Sequence, residues 1–290
     1  MRLLNWNIQW GRGADGRVDL ARIVHEAQAL GEFDVLCFQE VSRGFHATSA
    51  SAGLPGGPSA DQYAELAALL PGYAVFDAVA TDLAGLAPGL PRRQFGNAIA
   101  ARLPVVRALR HALPWPPDPA RPSMPRVALE LHVQTGAGPL RVVTTHLEFY
   151  SEIQRLAQVQ ALRGLHAEAV AHAREPAPAE RIDSPFAETA RPASAIFCGD
   201  FNSAAGSSAY RRMLEPQAGV PSFADAWVCA HPGRRHDATV GLHDRAQWPD
   251  GPFACDFIFV TEDLAGRVAR CEVDPRSAAS DHQPLILELA

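Results

Sequence analysis

Short apolar runs that break off at polar residues recur along the whole chain, and this pattern limits the folds open to it. Nine of them read as strands: Leu3–Ile8, Asp34–Phe38, Tyr73–Phe76, Ala98–Ala101, Val127–Val133, Leu140–Thr145, Ala195–Cys198, Cys255–Val260 and Leu285–Leu289. Helical periodicity fills only some of the gaps. It is clearest over Val18–Leu30, over Asp61–Leu70 with Asp61 as N-cap, from about Glu152 to Ala173, and over Ser207–Leu214. In the longest of these, Ile153, Leu156, Val159, Leu162 and Leu165 recur at spacings of three, an apolar stripe expected to lie on a sheet. Many strands, few helices and several hairpin-length gaps predict an α/β fold. Its two mixed, mainly antiparallel β-sheets pack face to face, with helices outside.

Residues 1–290 read as one domain. The segments "HATSASAGLPGGPSA", "PWPPDPARPSMP" and "REPAPAERIDSPFAETARPAS" read as surface loops. None separates two self-sufficient halves, and the sequence has no internal repeat. With hydrophobic residues at 47%, a substantial core is available. The net charge of −6, with Arg as the only strong base, does not suit a general grip on long nucleic acids. Nucleic acid therefore stays a possible partner that charge does not indicate. No apolar stretch of about 18 residues predicts a membrane span. The N-terminus enters a strand without a charged leader. The five cysteines have neither disulfide nor zinc spacing, and Cys37, Cys198 and Cys255 sit in or beside apolar runs as reduced core residues. A cytoplasmic location is the expectation. Nothing in the sequence speaks to oligomeric state.

The first strand, "LLNWNIQW", contains an oddity. Alternation puts Leu4, Trp6 and Ile8 on one face and Leu3, Asn5 and Asn7 on the other. Two amides then occupy a face that Val or Ile would fill better. Asn7 reads as part of a wet cleft, and Asn5, one pleat further in, as a partner for backbone between the sheets. Other strands also end in polar groups: Gln39 and Glu40 in "DVLCFQEV", His146 in "RVVTTHLE", Asp200 and Asn202 in "AIFCGDFNS". Asp256 lies in "CDFIFV", and Asp281 and His282 in "SDHQPLILEL". Polar groups that meet at one rim make a cleft.

Their chemistry is complementary. Glu40 offers a hard oxygen to Mg²⁺, which ordinarily takes one or two carboxylates and keeps its waters; Mn²⁺ accepts the same donors. Asp200 can orient or deprotonate water. Asn7 and Asn202 can donate beside a phosphate without adding negative charge. His282 can donate to a phosphoryl or leaving oxygen, with its tautomer set by a carboxylate such as Asp256. Together they would serve in-line attack by water on a phosphate ester.

"NWNIQ", "QE", "FGNAI", "THLE", "GDFNS", "DFIFV" and "SDH", in that order, resemble the endonuclease/exonuclease/phosphatase superfamily, which includes deoxyribonuclease-like nucleases. The resemblance implies a four-layered α/β sandwich and Mg²⁺-dependent phosphoester hydrolysis. Carried over residue by residue, it implies that Asn7 organises metal and nucleophile, Glu40 is the principal metal ligand, and Asp281 lies at or near the metal. It assigns Asp200 to the water and Asn202 to the phosphate. Asp256 and His282 form a carboxylate–histidine pair, His146 matches the deoxyribonuclease and sphingomyelinase branches, and Asn97 lines the cleft. One motif departs from the family: Ala254-Cys255-Asp256-Phe257-Ile258 stands where members often have Arg-Ile-Asp-Tyr-Ile.

Each residue alone has an ordinary structural explanation, such as a strand-end amide, a core histidine or a turn. Only their joint order argues for catalysis. Arg93 and Arg12 are phosphate-contact candidates by position, while Arg245 and Trp248 offer a phosphate donor and a stacking face. His25, His166 and His172 read as solvent-facing on helices; Glu148, Arg155 and Gln158 read as anchors of the long helix. The reading is a phosphoesterase of unresolved substrate. Its alternatives are a nuclease, a lipid phosphodiesterase, and an inactive module that only binds a phosphate ligand.

Overall fold

The computed structural model describes residues 1–46, 54–178, 184, 186 and 191–290. Parts of the first and third loop segments, residues 47–53 and most of 179–190, lie outside the described residues.

In chain order the elements are β1 (Arg2–Asn7), α1 (Leu20–Ala29), β2 (Val35–Arg43), α2 (Gln62–Leu69), β3 (Ala74–Leu83), β4 (Arg93–Ala101), β5 (Val105–Ala112), β6 (Val127–Thr135) and β7 (Gly138–His146). There follow α3 (Glu152–Arg174), β8 (Ala195–Asp200), α4 (Ser208–Leu214), β9 (Phe223–Asp225), α5 (Ala226–Ala230), β10 (Asp256–Thr261), α6 (Glu262–Ala265), β11 (Val268–Val273) and β12 (Leu285–Leu289). They build two six-stranded sheets, ordered β11-β12-β1-β2-β4-β3 and β5-β6-β7-β8-β10-β9. In each sheet one pair is parallel, β1 with β2 and β7 with β8; the other pairs run antiparallel. Each parallel pair is joined through a helix, α1 or α3, because a parallel return needs a crossover.

Three apolar clusters hold the four layers together. Leu3, Cys37, Ile99, Leu129, Val142, Ile196 and Ile258 meet between the sheets. Leu4, Trp6, Ile8, Phe38 and Val41 pack outward against Ile23 and Val24 of α1 and Leu66 of α2. Val143, Phe197, Phe257 and Phe259 pack outward against Val159 and Leu162 of α3 and Met213 of α4. Each fully buried side chain of this size contributes about 1.5–3 kcal/mol.

Three strands carried no clear sequence signal: β5, β9 and β11. All three are edge strands. An edge strand is half solvated and tolerates Arg and Glu, so "VVRALRHA" and "VARCEV" lack a continuous apolar run.

The stripe expected on α3 packs against the sheet at Leu156, Val159, Leu162 and Leu165 but not at Ile153, which is 61% exposed, and Gln154, Gln158, Arg163 and His166 share the inward face. Steps of three fall short of a full turn, so a run of them drifts around the helix. His166, expected to face solvent, is buried: its Nδ1 accepts from Arg141 Nη2 at 2.7 Å and its Nε2 donates to Pro221 O at 3.0 Å. Burial, with the Arg141 charge alongside, pushes its imidazole down to about 4.

Gly199 is required where β8 lies against β7. Its φ is +147°, and a Cβ there would run into the carbonyl oxygen of Thr145. That close approach sets His146 opposite Asp200 in the register of the parallel pair.

Candidate active site

Both parallel pairs end at the same rim of the sandwich. β1 and β2 bring Asn7 and Glu40 there, and β7 and β8 bring His146 and Asp200. Strand alternation alone would send Glu40 to the helix side with Phe38. A bulge between Gln39 and Val41 prevents this: Glu40 takes φ +61°, and Val41 occupies the outward place among the apolar residues. Asn202 is likewise left-handed, at φ +47°. Such conformations cost about 1–3 kcal/mol each and gather at functional sites.

Asn7 joins the two sheets' carboxylates. Its Nδ2 donates to Glu40 Oε1 and to Asp200 Oδ2, each at 3.0 Å, while its Oδ1 accepts from the Gln9 N–H at 3.1 Å. The Asn7 nitrogen thus faces both carboxylates and ties them together. Around Asp200 Oδ2 stand His146 Nε2 at 3.5 Å and His282 Nε2 at 3.7 Å, and His146 Nε2 also lies 4.0 Å from Glu40 Oε1. The Asn202 N–H donates to Asp200 Oδ1 at 2.8 Å, fixing the carboxylate from behind, and Asn202 Nδ2 donates to Leu147 O at 2.9 Å.

His282 donates through Nδ1 to Asp256 Oδ2 at 2.9 Å, which leaves Nε2 toward Asp200. Thr239 completes this arrangement. It accepts from the Cys255 and Asp256 N–H groups, each at 3.1 Å, and donates to Asp256 Oδ2 at 2.6 Å. Burial opposes charge on His282, but the negative charges of Asp256, Asp200 and Asp281 outweigh it and hold the ring well above its ordinary value. His146 goes the other way. Burial, with the positive charges of Arg126 and His282, holds it neutral. One ring is thus a cation and the other a neutral donor or acceptor.

The carboxylates are crowded. Burial and the charge of Asp281 push Glu40 up to about 7, with Asp200 adding to the effect. Burial, with the charge of Asp256, pushes Asp200 up to about 6 against the pull of His282. A group of acids that resist ionising together is what a divalent cation would relieve, and the donors are hard oxygens. The residues present therefore fit such an ion, and Glu40 and Asp281 are the ones that could hold it. Ligand atoms of Asp200, Cys255 and His282 also lie within 4.8 Å of one another. That trio suits a metal poorly: the Cys255 thiol is pushed well up by burial and the charge of Asp256, stays protonated, and points at Asp256 Oδ2.

The remaining expected residues divide. Trp248 donates its indole N–H to Asp281 Oδ2 at 3.1 Å, with its ring 5.9 Å from that of His282. Asn97 is corrected: it is 2% exposed and donates to Val127 O at 3.0 Å, a strut between the sheets and not a cleft wall. Asn5 also differs, accepting from the Gln39 side chain at 3.0 Å in place of backbone; Gln39 donates again to Thr144 Oγ1 at 2.8 Å. Arg93 lies over the Phe45 ring with Nε on Ala84 O, and Arg12 is held by Gln247. Neither of these bonds involves the carboxylate cluster. Arg245 is exposed on the loop that carries Trp248.

Sequence reasoning missed Arg126 and Thr239. Arg126 is 6% exposed, pairs with Glu148 at 3.3 Å, and leaves Nη1 buried without a hydrogen-bond partner. Its charge is felt by His146. Nothing in "SMPRVAL" or "HDATVG" distinguishes these two from loop residues. Glu148, Gln158 and Arg155 knit the turn into α3: Glu148 N donates to Gln158 Oε1 at 2.9 Å, and Arg155 Nη1 donates to Glu148 O and Phe149 O.

A profile described as the Endonuclease/Exonuclease/phosphatase family matches residues 4–282. No curated protein matches the sequence. Among solved structures, an endonuclease/exonuclease/phosphatase from Bacteroides vulgatus is 21% identical, with TM-score 0.63, covering 100% of this chain and 98% of its own. A mannosyl-6-phosphatase of Bacteroides thetaiotaomicron is 16% identical with TM-score 0.60, covering 100% and 99%. Truncated Caenorhabditis elegans TDP2 is 17% identical with TM-score 0.59, covering 99% and 95%. At these identities the likeness is one of fold.

Proposed function

The chain belongs to the endonuclease/exonuclease/phosphatase family, whose members are hydrolases, and from that premise we propose that it is a Mg²⁺-dependent phosphoesterase that uses Asp200 to activate water. The observation that carries this reading is the surroundings of Asp200 Oδ2. Asn7, His146 and His282 all aim nitrogen atoms at that one buried oxygen, at 3.0, 3.5 and 3.7 Å.

Glu40 and Asp281 would hold the ion, and when bound it supplies positive charge to a phosphate oxygen and to the nucleophile. The chain's own residues do the rest. Asp200, pushed up to about 6, is poised to take the proton of the attacking water near neutral pH. His282, kept cationic by Asp256, donates through Nε2 to a phosphoryl oxygen as negative charge develops there. Arg126 Nη1 and the free amide hydrogen of Asn202 add donors on the same phosphate. Asn7 holds Glu40 and Asp200 at a set separation, so that the ion's holder and the base act on one substrate. Thr239 fixes Asp256, and through it the His282 ring.

The test is hydrolysis of bis-p-nitrophenyl phosphate with Mg²⁺, followed by panels of sugar phosphates, phospholipids and nucleic acids. Activity should vanish with chelator, return with Mg²⁺ or Mn²⁺, and fall by about 10²–10⁴-fold in Asp200→Asn, the usual contribution of a general base. Mg²⁺-loaded protein that hydrolyses nothing in these panels would be a module that binds a phosphate ligand.

A further inference from the structure

A run of aromatic rings leads outward from His282, and its outer members, Phe149 and Tyr150, have no role so far. Trp248 stands edge-on to His282 at 5.9 Å, Phe149 edge-on to Trp248 at 6.1 Å, and Tyr150 edge-on to Phe149 at 4.7 Å. Along this run the rings pass from buried to open. His282 is 3% exposed, whereas Phe149 is 44% and Tyr150 55% exposed. Ring edges are thus used within the run, and the outer two rings keep much of their surface free.

The outer rings are not on a loose tip. The Tyr150 N–H donates to Glu148 Oε1 at 3.0 Å, and Arg155 caps the carbonyls of Glu148 and Phe149. Glu148 itself is 1% exposed and paired with Arg126. The turn that presents the two rings is therefore tied through Glu148 to Arg126, whose charge interacts with those of Glu40 and Asp200. Two adjacent aromatics held rigidly in water are an expense that packing does not explain, since neither fills a core.

We propose that Phe149, Tyr150 and the outer face of Trp248 form a subsite for an aromatic group carried by the phosphoester substrate. The inference rests on the phosphoesterase reading and narrows it to esters whose alcohol bears a ring, over esters of small polar alcohols. A phosphate placed at Asp200 and His282 has the Trp248 ring beside it, so its organic substituent meets this ledge on leaving the cluster. Arg155, the arginine nearest the two outer rings, is bonded to the backbone carbonyls of Glu148 and Phe149. The ledge itself therefore offers mainly apolar surface.

Binding separates this claim from catalysis. With Mg²⁺-loaded protein, 1-naphthyl phosphate and methyl phosphate are compared by calorimetry, and quenching of Trp fluorescence gives a second readout. The naphthyl ester should bind about tenfold tighter, the gain expected for burying one ring against aromatic surface. In Phe149→Ser/Tyr150→Ser the preference should shrink to about twofold or less, and KM for bis-p-nitrophenyl phosphate should rise. Phe149→Leu, which keeps apolar surface without a ring, should fall between. Equal binding of the two phosphates by the unaltered protein would overturn the subsite, as would a preference that survives in the double variant. A naphthyl preference in a protein that hydrolyses neither ester would uphold the subsite while refuting the phosphoesterase.

Discussion

Trp248 and Asp281 are joined by an indole N–H donated to a carboxylate oxygen at 3.1 Å, and the same indole stands edge-on to the next residue, His282. A loop residue 33 positions away thereby steadies a carboxylate whose one other side-chain bond among the described residues comes from Ser280 at 3.3 Å. The loop is clipped a second time, where Gln247 accepts from Gln9 at 2.8 Å, two residues beyond Asn7.

Trp248→Phe keeps the ring and removes the N–H. Loss of one bond to a charged group, partly replaced by water, should weaken Mg²⁺ by about 1 kcal/mol, near fivefold. Calorimetric titration of Mg²⁺ into both proteins is the check; unchanged affinity would mean that Asp281 needs no help from the loop.

Glu40 and His282 should separate cleanly. Glu40→Gln removes a charged ligand, whereas His282→Ala removes a nearby cation that competes with the ion. Mg²⁺ affinity should fall about tenfold or more in the first and hold or rise in the second. Equal losses in the two titrations would mean that the roles are misassigned.

Metal affinity should depend on pH with a definite sign. Glu40 is pushed up to about 7 and Asp200 to about 6, so between pH 8 and pH 5.5 protons compete with the ion for carboxylate oxygen. Affinity should fall as pH drops through this window, by up to about tenfold per unit for each proton displaced. For the stability of the metal-free fold, linkage gives the opposite sign. The metal-free fold binds more protons than the unfolded chain here, so these two groups make it less stable as pH rises toward 7. The Tm gain on adding Mg²⁺ should therefore grow from pH 5.5 to pH 8, and a flat gain in thermal melts would refute the assignment.

Gly199→Ala tests the strand approach that sets His146 against Asp200. The added Cβ meets a backbone carbonyl at a φ that side chains avoid, so about 2–4 kcal/mol of stability should be lost in urea unfolding. Wild-type stability would show that β7 and β8 can part without cost.

Much of this was legible in linear order. Asn7, Glu40, His146, Asp200, Asp256 and His282 stand out because each is a polar residue closing or opening an apolar strand, and core strands carry that contrast strongly. Where solvent reaches both sides of a segment the contrast fades, so β5 and β11 were not found. Arg126 and Thr239 escaped for a different reason. Their importance lies in partners far along the chain, Glu148 and Asp256, which no spacing reveals.

Local alternation even gave a wrong orientation for one residue. By period two, Glu40 belongs with Phe38 on the helix side, and only the bulge at φ +61° turns it into the cleft. Asn97 and His166 show the converse. Each is polar and could have met water, but pairing across the sheets or beneath a helix buried them. Residue types and their periodicity thus determined which strands form, what the layers are and which chemistry the chain carries, because apolar burial is read out locally along each element. Which of those polar groups share a site was decided by sheet order, a bulge and the Gly199 contact, because charges act through space and space is set only when the two sheets close.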